Sequence, residues 1–385
     1  MNNISLVHHC YGCGVCAITC PQSIIRIELN EDGFYEPAII NESGCLNCGL
    51  CLKVCAFSHD DLVRSSQCVG SYAAWSDDPK VRSRSTSGGV SYELGRSLLQ
   101  QGYLLCGVKY DAPLNRAEHY IASSLEEWKV SVGSKYIQSY TVDGFAAIDR
   151  KRKYLVTGTP CQMDSFRRYI QHFHCEENFV LMDFFCHGVP SMLMFDKYVR
   201  QNDIRRQEGD TIIWRNKKYG WHDSYAMTFT TQSGKKVISR QSQYDDFYML
   251  FLSDVCLGKA CYDHCKYKNL NSSADIRIGD FWGRTFADNE EGVNGVLAFS
   301  HRGDEILQQC HLQLIPYDLN VVTEHQMKEN AVYPVNYDQV WPLVKSPGLS
   351  LQKASVFRKR EIRRRRLINR VNHILRILKI PYLFK

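Results

Sequence analysis

From residue 68 onward the chain alternates short apolar runs with amphipathic stretches, the rhythm of a mixed α/β core. The pattern predicts strands over residues 69–75, 103–110, 153–157, 178–185, 274–279 and 296–300. Helices fall between them, over 88–101, from Cys161 to about Gln171, after Pro190 and after Gly303. Residues 211–214, 224–231 and 235–239 read as a small antiparallel excursion. The period changes in the last stretch, 353–385. There Leu367, Val371, Ile374 and Leu378 recur at i, i+4, i+7 and i+11, a single apolar stripe. Arg363 to Arg366, Arg370, Arg376 and Lys379 dress the rest of that predicted helix.

The chain has 385 residues, of which 44% are hydrophobic and 23% charged, ordinary for a soluble globular protein. It contains no apolar run of about 18 residues, so no membrane-spanning segment is expected. The net charge of +6 is a property of the tail. Residues 351–385 hold twelve Lys or Arg and one Glu, a net of +11, which leaves −5 for the remainder. A basic amphipathic helix of this kind suits the inner face of a membrane or an acidic partner. Nucleic acid is the weaker alternative, because interleaved aromatics are missing over most of the tail. A solvated helix packed on the body is the plainest reading.

Cysteine changes the picture most. Cys10, Cys13, Cys16 and Cys20 form one comb, followed by Pro21, and Cys45, Cys48, Cys51 and Cys55 form a second. Both read C-x2-C-x2-C-x3-C, the spacing of a bacterial ferredoxin with two 4Fe–4S cubanes. Gly12, Gly14, Gly44 and Gly49 are expected to permit the tight turns between the thiolates. The fourth cysteine of such a comb crosses to the other cluster. The expected ligand sets are therefore Cys10, Cys13, Cys16 and Cys55 for one, and Cys45, Cys48, Cys51 and Cys20 for the other. A disulfide framework would need an oxidising compartment, and the opening residues carry no secretion-signal pattern, so a reducing cytosol is expected. Zinc sites favour two separated C-x2-C pairs over a triplet with a distal Cys-Pro. The second comb departs from the ferredoxin pattern in ending Cys55-Ala56.

Nine cysteines remain: Cys68, Cys106, Cys161, Cys175, Cys186, Cys256, Cys261, Cys265 and Cys310. Three predicted loops follow strands and would converge on one sheet edge. They are Thr157-Gly158-Thr159-Pro160-Cys161-Gln162, Phe185-Cys186-His187-Gly188, and the segment from Cys256 through Cys261 and Cys265 to Asp280-Phe281-Trp282-Gly283. Cys161, Cys186 and the Cys261/Cys265 pair would meet there to hold a third 4Fe–4S cluster. On spacing alone, small buried hydrophobes are an equally good reading. Thr86-Ser87-Gly88-Gly89 opens a predicted helix, where free N–H groups suit a pyrophosphate. A simple N-cap is the bland reading. No G-x-G-x-x-G nicotinamide fingerprint is present.

Six segments occur in a telling order: Ser85-Thr86-Ser87-Gly88-Gly89, Gly133-Ser134-Lys135-Tyr136-Ile137-Gln138-Ser139, Thr157-Gly158-Thr159-Pro160-Cys161-Gln162, Cys186-His187-Gly188-Val189-Pro190-Ser191, Cys261-Tyr262-Asp263-His264-Cys265 and Ile278-Gly279-Asp280-Phe281-Trp282-Gly283. Together they resemble the beta subunit family of the deazaflavin-coenzyme (factor 420) hydrogenases and dehydrogenases, to which the plant 7-hydroxymethyl chlorophyll a reductase is similar. The resemblance covers about residues 68 to 300. It implies a noncovalent FAD beside a 4Fe–4S cluster on Cys161, Cys186, Cys261 and Cys265. The x3 spacing of the last pair, where the archaeal form has x2, leaves Cys256 as an alternate ligand. Flavin contacts fall on Thr86, Ser87, Gly88, Gly89, Lys135, Tyr136, Gln138, Ser139, Thr157, Gly158 and Thr159. The fused ferredoxin and basic tail look like the bacterial branch found with cell-surface polysaccharide genes.

The expected architecture is α+β. A dicluster ferredoxin domain spans 1–65, a mixed α/β domain with FAD and a third cluster spans 66–345, and a basic helical tail spans 346–385. The expected function is an oxidoreductase. It passes electrons from a reduced ferredoxin or flavodoxin through the clusters to FAD and on to an organic substrate, with a nucleotide sugar or lipid-linked sugar ahead of another small organic molecule. The alternative is an electron-transfer subunit serving a partner enzyme. His187 and Asp280 are candidate proton donors, with a hydrogen bond to a cluster sulfur the alternative for His187 and a loop cap the plainer reading of Asp280; the His222-Asp223 dyad is a weaker third. Both readings are compatible with an oligomer.

Overall fold

The computed structural model describes residues 2–64, 67–204, 206–231 and 234–377. The two combs run into short helices, Val15–Thr19 and Leu50–Lys53. Between them β1 (Ile25–Leu29) and β2 (Tyr35–Ile39) form an antiparallel hairpin that the cysteine pattern masks. Gly12, Gly14 and Gly49 adopt the left-handed conformation expected of them (φ +63°, +70° and +70°). Gly44 does not; it closes a 3-10 turn, Glu42–Gly44, whose cap is the Asn41 side chain. The small core of this region joins Ile4, Ile25, Ile27 and Tyr35 to Cys16, Cys51 and Cys55.

Twelve further strands follow among the described residues. They are β3 (Gly70–Ser76), β4 (Leu104–Asp111), β5 (Arg116–Ala122), β6 (Ser139–Tyr140), β7 (Tyr154–Thr157), β8 (Phe179–Phe184), β9 (Thr211–Ile213), β10 (Ala226–Thr231), β11 (Gly234–Arg240), β12 (Ile276–Asp280), β13 (Asn294–Ala298) and β14 (Leu312–Pro316). Nine of them make one mixed sheet in the order β14-β3-β13-β12-β8-β7-β4-β5-β6. Its middle, β12-β8-β7-β4, is parallel throughout. Strands β7 and β8 are near-continuous apolar runs because helices cover both faces. Parallel direction brings the carboxyl ends of β7, β8 and β12 to one edge, as the three loops require. β9, β10 and β11 form the separate antiparallel excursion. The sequence reading passed over β5, β6 and β14, which are edge or near-edge strands with mixed polarity.

Helix Pro160–His172 starts on Thr159, which accepts from the Gln162 backbone while the Gln162 side chain returns to Thr159. Met163, Phe166 and Ile170 form its buried face against Phe145, Val156 and Phe179. On the opposite face, helix Val90–Gln100 buries Val90, Leu94 and Leu98 with Trp128 and Leu155.

The tail helix, Leu351–Ile377, is anchored at its start. Leu351, Ala354 and Ser355 are fully buried, and the Lys359 ammonium lies 2.6 Å from Asp246 Oδ1. Beyond that anchor Arg360, Arg363, Arg364 and Arg370 are exposed. So is Leu367 at 63%, which places it off any apolar face buried in this chain. Leu378 and Lys379, with the side chains of Arg365, Arg366, Ile374 and Arg376, lie outside the described residues. The expected boundary at 65/66 also falls on two residues outside the described set. Among the described residues no helix is long and apolar enough to cross a membrane.

Candidate metal centres and cofactor cavity

The eight comb cysteines surround two hollows. One is lined by Cys10, Cys13, Cys16 and Cys55, the other by Cys20, Cys45, Cys48 and Cys51. Each hollow thus takes three thiols from one comb and the distal fourth from the other, the crossed arrangement expected. All seventeen cysteines are free of disulfides. Among the described residues no three His, Cys, Asp or Glu side chains gather tightly enough for a single metal ion. The thiols ring a volume, which suits a cubane better than zinc. Burial, then the neighbouring Cys55, pushes the Cys13 thiol up to about 11. Thiols this reluctant to ionise become ligands through a positive centre that displaces the proton. The Cys48 end of the second hollow is exposed, and the Asn47 backbone and the Asn3 amide lower the Cys45 thiol from its usual range.

A third cysteine group forms in the body. Cys161 opens helix Pro160–His172, Cys186 follows β8, and Cys261 and Cys265 lie on and just beyond helix Lys259–Asp263. They act on one another: burial, then Cys186, pushes the Cys261 thiol up to about 12, and Cys265 adds to this. Cys161 is raised by burial with contributions from Cys186, Cys261 and Cys265. Cys256 stands apart. It is fully buried in an apolar cluster with Leu257, Tyr262 and Val255, and burial alone raises its thiol. The structure thus brings together the four-cysteine set and leaves the alternate in the core.

The loops after β7, β8 and β12 open onto a cavity of about 420 Å³, within the range of cofactor sites. Its wall includes Thr86, Ser87, Gly89, Lys135, Tyr136, Gln138, Ser139, Thr157, Gly158 and Thr159, ten of the eleven residues expected around the flavin. Gly88 lies beneath, where a Cβ would stand 2.3 Å from the Ala74 carbonyl oxygen. Helix Val90–Gln100 begins at Gly89 with no side-chain cap, so Thr86 and Ser87 are not its N-cap. Thr86 Oγ1 accepts from the Ser134 backbone N–H at 3.0 Å, and Ser87 Oγ donates to the Val293 carbonyl at 2.6 Å. These bonds hold the loop at the helix start beside the cavity; there the Val90 N–H donates to Asn294 Oδ1 at 3.3 Å, and the positive end of the helix still suits an anionic group. The Lys135 ammonium reaches the carbonyls of Ser131, Val130 and Gly133, although burial pushes it down to about 7.

Buried charges fix the loops. Asp280 accepts from Trp221 Nε1 (2.9 Å) and from Arg215 Nη1 (2.5 Å), so both its oxygens are engaged in tying loops together. Arg215 also donates to Ser224 and lies over the rings of Tyr225 and Trp282. Lys217 Nζ donates to the carbonyls of Arg82, Ser87 and Glu291 and ties down the Ser87 loop. Lys268 Nζ donates to the carbonyls of Cys186 and His187. Arg277 and Asp183, both essentially inaccessible, form a bidentate pair at 2.7 Å, and Arg277 donates onward to the carbonyls of Asn269 and Asn271. That pair pins the Cys265–Asn271 segment to β8 and β12.

His187 lines the cavity; its Nε2 lies 2.8 Å from Asp254 Oδ1 and 3.1 Å from the Phe251 carbonyl. His222 and Asp223 do not form a dyad. His222 faces Glu290, with its ring tilted to that of Trp282, while Asp223 pairs with Arg240. Sequence reasoning missed Tyr11, Arg215, Lys217, Lys268 and Asp254. Tyr11 sits inside the first comb, visible only as an aromatic beside a thiol, and the other four lie in no spaced motif.

Residues 151–315 match the family described as coenzyme F420 hydrogenase/dehydrogenase, C terminus of the beta subunit, and residues 9–58 match the 4Fe–4S dicluster domain. No curated protein matches the chain. One similar solved structure is the F420-reducing [NiFe] hydrogenase complex from Methanosarcina barkeri in its xenon-derivatized form. It shares 16% identity at a TM-score of 0.46, over 78% of this chain and 93% of that one. Residues 151–315 are thus similar to the C-terminal part of the coenzyme F420 hydrogenase/dehydrogenase beta subunit, and a 4Fe–4S dicluster domain precedes them at residues 9–58.

Proposed function

We propose that this chain is an iron–sulfur flavoprotein oxidoreductase. It takes single electrons from a reduced ferredoxin or flavodoxin and delivers them, through two clusters in the ferredoxin domain and a third in the body, to FAD and then to an organic substrate. One observation carries this reading. Cys186, a member of the body cysteine group, lines the same cavity as ten of the residues expected around the flavin. A cluster there and an isoalloxazine would share a wall. Cys10, Cys13, Cys16 and Cys55 would hold the first cluster, Cys20, Cys45, Cys48 and Cys51 the second, and Cys161, Cys186, Cys261 and Cys265 the third. The flavin, when bound, supplies the conversion between one-electron and two-electron chemistry.

The chain's own residues bind, orient and handle protons. The Gly88-Gly89 turn and the helix start behind it receive the anionic end of the cofactor, and Lys217 keeps that loop in place. Asp280 and Arg215 form a fixed charge pair below the aromatic wall. His187, engaged at Nε2 by Asp254 and Phe251, would give up a proton from Nδ1 to a reduced substrate. The ring of Trp282 in the cavity wall, backed by Trp221 at 5.2 Å, supports a cyclic organic substrate, and a sugar-linked one agrees with the bacterial branch that the chain resembles. The exposed arginines of the tail would rest on an anionic membrane face. Reversing the charge of Arg363 and Arg364 should abolish co-sedimentation with vesicles containing phosphatidylserine.

Oxygen-free purification tests the whole reading. About twelve irons and one FAD per chain are expected, and a flavin-free protein with intact clusters would overturn it. Turnover of candidate sugars by the isolated chain with a chemical reductant separates it from a bare electron-transfer subunit.

A further inference from the structure

We propose that Tyr11 is the positioning residue that joins the ferredoxin domain to the body, filling the space between the first cysteine hollow and the body cysteine group so that an electron crosses there. The proposal rests on the reading above, that both places hold 4Fe–4S clusters.

Among the described residues Tyr11 alone lines both the first hollow and the large cavity. It stands next to Cys10, and its hydroxyl donates to the carbonyl of His264, the neighbour of Cys265, at 2.5 Å. Its ring packs edge-on against Phe57, which also lines the first hollow, at 5.2 Å, and against Tyr267, two residues past Cys265, at 5.6 Å. Phe57 in turn meets the His264 ring at 5.0 Å. Two aromatics from the ferredoxin domain thus interlock with two groups flanking a body cysteine, the edge-to-face packing that aromatic rings favour.

The backbone is held as well. The Tyr11 carbonyl accepts from Gln138 Nε2 at 3.2 Å, and a Cβ on Gly12 would stand 2.4 Å from that same nitrogen. The joint is tied at further points. Lys266 Nζ donates to the carbonyls of Ala56, His59 and Asp61, and the Ala56 N–H donates to Ser165 Oγ. Tunnelling weakens steeply across empty space, so a close-packed ring between two centres is what a relay needs. The step moves one electron: the centre on the Cys10 side is oxidised, the body centre is reduced, and no bond or proton changes hands. The first electron comes from an added one-electron reductant.

The test uses the full chain, oxygen-free, reduced by a pulse of photogenerated one-electron reductant. Iron is counted, magnetic coupling between reduced centres is read by paramagnetic resonance, and the arrival of the electron at the body is timed. Tyr11→Leu should keep about twelve irons yet slow arrival by about tenfold and weaken the coupling. Tyr11→Phe keeps the ring and should match the unaltered protein. Should Tyr11→Leu lose iron, Tyr11→Phe and Tyr11→Met decide. Full speed in the first with slow arrival in the second supports the role, and equal speed in the two overturns it. Unaltered speed in an iron-replete Tyr11→Leu also overturns it. An unaltered chain with about eight irons overturns the cluster reading itself, and is distinguished by the iron count alone.

Discussion

At the scale of single residues, the buried charges do the positioning. Removing one partner of a buried pair strands the other without water, which costs about 3–5 kcal/mol. Asp183→Asn should therefore lower the unfolding free energy by about that much and loosen the Cys265 segment, measured by urea titration and by iron content. Arg277→Lys keeps the charge, but loses the two-toothed geometry and the carbonyl contacts of Asn269 and Asn271. His119 offers a pH test. It is buried beneath the β7 end with Nε2 2.9 Å from the Thr157 carbonyl, and burial pushes its imidazole down to about 4. The unfolded chain takes up that proton near 6.5, so the stability His119 contributes is complete above pH 6.5 and is lost as pH falls from 6.5 toward 4. The loss is about 3 kcal/mol. The wild-type minus His119→Gln difference in unfolding free energy should be flat above pH 6.5 and shrink below it. None of these pairings was legible in sequence. Arg277 and Asp183 are 94 positions apart and become neighbours only because β8 and β12 run side by side.

At the scale of elements, each comb and its short helix form half of a site. Because the hollows are crossed, Cys55→Ser should erase the same spectroscopic signal as Cys13→Ser, and Cys20→Ser the same one as Cys48→Ser. Pairing by comb instead would show the opposite grouping. This arrangement was readable in advance, since the spacing itself dictates which thiols share a turn. The central strands were readable for a similar reason: β7 and β8 are short apolar runs between turn residues. The hairpin of β1 and β2 and the edge strands β5, β6 and β14 were not. Their half-exposed alternation is short, and pairing partners far along the chain stabilise them. The tail helix was expected, but its first turns are part of the body core, and Arg360, Arg363, Arg364 and Arg370 beyond them are exposed.

At the scale of the whole molecule, a strap over residues 56–64 clamps the amino-terminal cysteine region to the large sheet's surroundings. Lys266 holds three of its carbonyls, Val63 N–H donates to Asp164, and Arg64 pairs with Asp275 at 2.8 Å. Lys266→Met should speed amide exchange across the strap and expose it to proteolysis while leaving the exchange of β7 and β8 unchanged. Uniform acceleration across the chain would mean that the lysine supports global stability instead. By itself the sequence determined the chemistry: cysteine spacing is a local property, set within a single turn of chain, and so are the strand-to-loop signals around Thr157, Cys186 and Asp280. Only the tertiary structure decided which of the remaining cysteines gather, that Cys256 stays in the core, that Asp280 is bound to Arg215, and that Tyr11 stands between the two cysteine groups. Those outcomes depend on contacts between residues tens to hundreds of positions apart, brought together by parallel strand order and buried charge, and no local pattern encodes them.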